Sequence, residues 1–132
     1  MRPKHDRMAT AEVTINAPRS TVWEALITPA AMKQYMFGAD VRSEWTEGAS
    51  ITWAGDWRGT PYQDKGVITL IQRERTLQYT HYSPLSGVPD HPKNYHLVTI
   101  DLAEAGVETR VIVTQKKMPP MMRVLTPRRR GA

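Results

Sequence analysis

Between residues 39 and 115 the chain falls into six short segments in which apolar and polar residues alternate: ADVRSEW, SITWAG, PYQDKGVITLIQ, TLQYTHY, NYHLVTIDL and VETRVIVTQ. Only WTEG, DWRG, RERT, SPLSGVPDHPK and AEAG separate them. Alternation at period 2 marks strands that bury one face, and these separators carry the residues of turns. Parallel neighbours need long crossovers, usually helical, which these connections do not supply. An antiparallel meander is therefore predicted.

The preceding segment completes the element order. AEVTI (11–15) alternates like a strand, and NAPRSTVWEALI then changes period. Val22, Ala25 and Leu26 share one helical face with Trp23 beside it, and Pro18 suits a first helical turn. In TPAAMKQYM, Thr28 is a candidate N-cap, Pro29 the first helical residue, and Met32, Tyr35 and Met36 fall on one face. The expected architecture is α+β, with one strand, two short helices and six further strands in a sheet of about seven.

Period 2 also sorts the side chains. Leu77, Tyr79 and His81 share a face; so do Val98, Ile100 and Leu102, and so do Val111, Val113 and Gln115. The alternate set, Gln78, Thr80, Thr99, Asp101, Arg110 and Thr114, suits water. Two helices of two or three turns can cover only part of the apolar face. Something further must cover the rest.

Composition narrows the classes. A length of 132 residues fits one domain, and the absence of cysteine excludes disulfides, thiolate metal sites and cysteine nucleophiles. No apolar run reaches the roughly 20 residues of a membrane helix, and MRPKHDRMATAEV lacks the apolar core of a signal peptide, so a cytoplasmic location is expected. The net charge is +5, but residues 1–7 carry +2 and residues 116–132 carry +6, which leaves −3 on the body. Phosphate binding needs cations held on one face, so nucleic acid is not an expected partner; the basic tail alone is the candidate for RNA or anionic lipid.

The stretches INAPRSTVWEALITPAAMKQYM, WTEGASITW, KGVITLIQRERTLQYTHY, HLVTIDLAEAG and TRVIVTQ together resemble the activator of heat-shock protein 90 ATPase homologues, within the START-like or Bet v 1-like (SRPBCC) superfamily. The resemblance runs from about residue 11 to residue 115. It implies a helix-grip fold, a curved antiparallel sheet wrapped around a long C-terminal helix with an apolar cavity between them. It implies no shared catalytic set, because the superfamily spans binders of small hydrophobic or lipid-like molecules, cyclase- or dehydratase-like enzymes and stress-linked proteins; no cofactor and no metal are expected. The family name adds a chaperone as a partner by analogy.

The ending departs from that pattern. Where the resemblance leads one to expect an acidic turn and an amphipathic helix stands KKMPPMMRVLTPRRRGA. Between Pro120 and Pro127 only about 9 Å of helix fits at 1.5 Å per residue. The chain is thus read as an N-terminal tail (1–10), a START-like domain (11–115) and a Pro/Arg-rich tail (116–132), with the gripping helix truncated or replaced, as by a frame shift. The uncovered sheet face would then be buried by a homodimer or by an apolar partner.

Candidate cavity residues are Trp45, Trp53, Trp57, Tyr79, His81, Ile100, Val111, Val113 and Gln115; Tyr62, Tyr82 and Tyr95 also lie in the strand region. Aromatic residues give large rigid contact area with a polar tip, although ordinary core packing also accounts for them. An inward His81 could be a general base or a hydrogen-bonding anchor, or a core histidine satisfied by Tyr79 or backbone. Gln115 is a polar anchor without proton chemistry. DHPKNYH brings Asp90, His91 and His96 near in sequence, but the spacing fits a solvated loop better than a zinc site, and SPLSGVPDHP could form a mobile cavity rim. Asp56 and Asp64 flank a turn and read as surface residues, while Arg58 is a candidate partner for an acidic ligand. No Ser/His/Asp motif or phosphate-cradling glycine loop is present. A non-enzymatic domain that binds a small hydrophobic molecule is favoured over a cyclase- or hydrolase-like enzyme using His81, Tyr79 or Asp56, and over a co-chaperone-like module.

Overall fold

The computed structural model describes residues 8–35 and 38–117. Strand β1 (Met8–Ile15) leads into helices α1 (Arg19–Ile27) and α2 (Pro29–Tyr35), and six strands follow: β2 (Asp40–Ser43), β3 (Ser50–Trp57), β4 (Thr60–Gln72), β5 (Thr76–His81), β6 (His96–Ala105) and β7 (Glu108–Lys117). They form one curved antiparallel sheet in the order β1-β7-β6-β5-β4-β3-β2, in which β2 to β7 are the predicted meander and β1 joins at the β7 edge. Met36 of the predicted second helix face, and the expected truncation or replacement of the gripping helix, lie outside the described residues.

Local chemistry accounts for the turns. Arg58 and Gly59 link β3 to β4 with φ of +52° and +85°, the two positive values of a type I′ hairpin, and the Gly59 N–H donates to Asp56 Oδ1 at 2.7 Å. Asp56 is therefore a turn residue, as its sequence position suggests, and is committed to backbone. Pro29 opens α2, and Met32 N–H donates to the Thr28 carbonyl at 3.0 Å. The hydroxyl of buried Thr109 donates to the Ala17 carbonyl at 2.7 Å and ties the entry of α1 to β7.

One irregularity sets the register of the sheet. Ile68 pairs with Tyr79, but Ile71 pairs with Leu77, so a bulge lies between Ile68 and Leu70. Ile68 and Ile71, three residues apart, both pack into the core. The Val67 N–H donates to the hydroxyl of Thr80 at 2.9 Å. Beside it, a Cβ on Gly66 would stand 1.7 Å from the Thr80 carbonyl oxygen, so the two strands approach too closely there for any other residue. Thr80 is fully buried. The expectation that it faces water fails because its face is covered there: Thr80 pairs with Leu97 of the smaller cluster described below, and its hydroxyl is satisfied by the Val67 N–H.

The main core lies between the helices and one face of the sheet. Val22 and Trp23 of α1 and Met32 of α2 join Val41, Ile51, Trp53, Ile68, Leu77, Ile100, Leu102 and Val111. A smaller cluster, Tyr82, Tyr95 and Leu97, forms on the opposite face, and the connection between β5 and β6 packs over it. Tyr82 and Tyr95 stack at 5.3 Å between centroids, the Tyr82 hydroxyl donates to the Val88 carbonyl at 2.6 Å, and the Tyr95 hydroxyl donates to Asp90 at 2.7 Å. These contacts correct two readings. Tyr82 and Tyr95 are not on the same face as the cavity candidates, and the proline-rich connection is a cover on the convex side, pinned by Asp90 to Lys65, where a free rim was considered.

Candidate functional site

Strand register places one set of side chains on the concave face, and along each strand that set changes in the same direction. On β6 it reads Leu102, Ile100, Val98, His96; on β7, Val111, Val113, Gln115, Lys117; on β5, Leu77, Tyr79, His81. Leu102 pairs with Val111, Ile100 with Val113, Val98 with Gln115, and His96 with both His81 and Lys117. The apolar end lies toward α1, which follows the Ile15–Thr109 pair and contacts β6 and β7. At the other end the face becomes polar.

A compact cluster stands at that transition. His81 Nε2 lies 2.8 Å from Asp64 Oδ2. An ionised carboxylate only accepts, so Nε2 carries the hydrogen and Nδ1 is left for another partner. The edge of Trp53 meets the His81 ring at 5.1 Å between centroids, 72° between planes, and Trp53 also packs on Tyr79 at 5.2 Å. Trp53 is in turn the cross-strand partner of Asp64. Burial alone pushes the Tyr79 phenol up to about 12, so it stays protonated at any physiological pH.

Among the described residues, the buried side-chain polar atoms that lack a hydrogen-bond partner are Trp53 Nε1 and Asp64 Oδ1. Both belong to this cluster. An orphaned buried donor or acceptor costs about 1–3 kcal/mol. Both orphaned atoms thus stand beside the oriented histidine, where a hydrogen-bonding partner would satisfy them.

The predicted site residues separate into three groups. Trp53, Tyr79 and His81 come together as described, and Ile100, Val111 and Val113 supply the apolar floor beside them. Gln115 shares the face by register and is exposed at its open end. Trp45 and Trp57 lie apart. Trp45 sits at φ +55° between β2 and β3, half-buried against the main core, and Trp57 is 58% exposed at the β3–β4 hairpin. The Arg58 guanidinium lies 5.3 Å from the centroid of the Trp57 ring.

Sequence reasoning places none of Asp64, His96 and Lys117 in the cavity. By sequence Asp64 reads as a surface residue beside a turn, yet its side chain is only 15% exposed and holds His81. Counting back by twos from Ile68 reaches Asp64, whereas counting from Ile71 reaches Lys65 and the wrong face; the bulge makes the difference. DHPKNYH is split by the fold. Asp90 bonds to Tyr95 on the convex side, His91 Nδ1 accepts from the Lys93 N–H at 3.2 Å, and His96 lies on the concave face. Among the described residues no three His, Asp or Glu side chains converge to hold a metal ion. Nor is any described helix long and apolar enough to cross a membrane.

A curved antiparallel sheet with paired helices after its first strand, gripping its core on the concave side, defines a protein of the START-like, helix-grip class. Within that class the chain belongs to the family described as Activator of Hsp90 ATPase homolog 1-like protein, whose model matches residues 16–126. No curated protein matches the chain. Among solved structures, a protein from Cytophaga hutchinsonii is 42% identical with a TM-score of 0.74, over 92% of this chain and 84% of its own. An HSP90 activator from Plasmodium falciparum is 13% identical with a TM-score of 0.66, over 85% of this chain and 74% of its own. The Aha1 dimer from Colwellia psychrerythraea is 16% identical with a TM-score of 0.64, over 86% and 78%. The last two likenesses are of fold.

Proposed function

We propose that the concave face binds a small, largely apolar molecule, with Trp53 and Tyr79 against its body and His81 as the polar contact that orients it. The observation that carries this reading is the His81–Asp64 pair beside Trp53, where two buried polar atoms stand unpartnered among aromatic and aliphatic side chains. Binding sites of this kind are mostly apolar with a few placed polar groups. Ile100, Val111 and Val113 extend the apolar surface, Gln115 stands at its open end, and Trp45 and Trp57 contribute less.

Titration of the full chain with Nile red, a neutral apolar dye, tests this. The expected result is saturable binding at one site, weakened about tenfold by Trp53→Phe and blocked by Gln115→Trp, which fills the open end from an exposed position. Absence of binding, or binding indifferent to both substitutions, overturns it. A second copy of the chain is the competing occupant, since the Colwellia relative is described as a dimer; light scattering that shows a dimer dissociated by Gln115→Trp favours that reading.

Family membership favours a second reading, association with an Hsp90-type chaperone. It predicts retention of the full chain on an immobilised chaperone regardless of the residue at 53 or 115.

A further inference from the structure

The polar end of the concave face is a row, and its composition is uneven. Asp64 on β4, His81 on β5, His96 on β6 and Lys117 on β7 follow one another across four adjacent strands, a span of roughly 14 Å at the usual spacing between strands. The one carboxylate stands at one end, with an oxygen engaged by His81. Beyond it come His81 Nδ1, the His96 imidazole and the Lys117 ammonium, with the Gln115 amide one position down β7. Each of these nitrogens is a donor once the imidazoles are protonated, and no second carboxylate of β5, β6 or β7 shares this end of the face.

We propose that this row is the headgroup site for the ligand of the concave face, and that the ligand is a single-tailed amphiphile with an anionic head of carboxylate size. This deepens the binding reading above and rests on it. The tail lies along Tyr79 and Val113, the partly buried residues of this face, toward the helix-covered end. The head sits among His81, His96 and Lys117, where charge-assisted hydrogen bonds to an anion are the strong kind. His96 agrees with a positive local potential, because its pKa is held below the ordinary histidine value by burial first, then by His81 and Lys117. The groups facing it are His81 from β5 and Lys117 from β7, with Asp64 of β4 behind His81. An anion placed there favours the imidazolium form, so it raises the His96 pKa, and its affinity increases as pH falls from 8 to 6.

The test compares decanoate with decanol on the full chain, by calorimetry at pH 6 and pH 8 and by NMR titration of the imidazoles. Decanoate is expected to bind about tenfold more tightly than decanol at pH 6, with a smaller margin at pH 8. His96→Gln with Lys117→Gln, the second at an exposed position, is expected to abolish the margin while decanol still binds. Decanoate should move the His96 titration upward and decanol should leave it in place. Equal binding of the two, with Gln115→Trp blocking both, overturns the headgroup assignment and leaves the binding reading standing; no binding of either overturns both. Co-sedimentation with phosphatidylglycerol vesicles without binding of free decanoate replaces this site with a membrane surface and also overturns it.

Discussion

Asp64 and Lys65 are neighbours in the chain and end on opposite faces of the sheet, each inside a cluster of aromatic and charged groups. On the convex side Lys65 pairs with Asp90, which accepts from the Tyr95 hydroxyl, while Tyr82 stacks on Tyr95 and donates to backbone. On the concave side Asp64 holds His81 beside Trp53 and Tyr79, but one carboxylate oxygen and the indole N–H are left without partners. Similar chemistry is closed on one face and open on the other. A fully paired buried network adds rigidity, whereas a partly paired one is costly to keep. The convex cluster fastens a loop; the concave cluster is where the molecule retains unspent hydrogen-bonding capacity.

The largest effect should come from the residue that serves both clusters. Gly66→Ala drives a Cβ into the backbone of Thr80 and must separate β4 from β5, so it is expected to destabilise the chain by about 3 kcal/mol or more. Urea unfolding would measure it, and near-wild-type stability would break the idea that this close approach sets both faces.

A smaller effect should separate them. Asp90→Asn removes the charge that binds Lys65 and weakens the acceptor for Tyr95, with an expected loss of about 1–2 kcal/mol. Asp64→Asn weakens the acceptor for His81 but also removes a buried charge, so its loss should be under about 1 kcal/mol, while Nile red binding falls. Equal losses in urea midpoint would make the two clusters alike and remove the contrast.

The smallest effect is spectroscopic. In an absorbance titration one tyrosine, lost in Tyr79→Phe, should ionise near pH 12 rather than near 10. The folded chain then holds a proton that the unfolded chain has released, so stability declines as pH rises from 10 to 12 and the Tyr79 contribution is fully present below 10. Ionisation of all tyrosines near 10 would mean that water reaches the aromatic cluster freely.

Much of this was legible in the residues. Alternation along TLQYTHY, HLVTIDL and RVIVTQ placed Leu77, Tyr79 and His81, then Val98, Ile100 and Leu102, then Val111 and Val113, on one face, where the structure has them. Turn chemistry at Trp57–Thr60 and the Pro29 helix start were equally local signals. What failed was the environment given to two polar residues. Asp64, read as a surface group beside a turn, falls in phase with Ile68 on the concave face, and Thr80, on the outer face as alternation gives it, is buried because the connection between β5 and β6 covers that face.

The sequence by itself determined the strands, the meander from β2 to β7 and the inward side of β5, β6 and β7, because period 2 and turn preference are properties of a few neighbouring residues. Only the tertiary structure decided which polar groups meet. The bond between Asp64 and His81 joins residues 17 apart, and its formation depends on a bulge and a glycine contact that fix the register between two strands. Register between these strands follows from the hairpin turn, the bulge and the packed face acting together, and alternation within a single strand does not fix it.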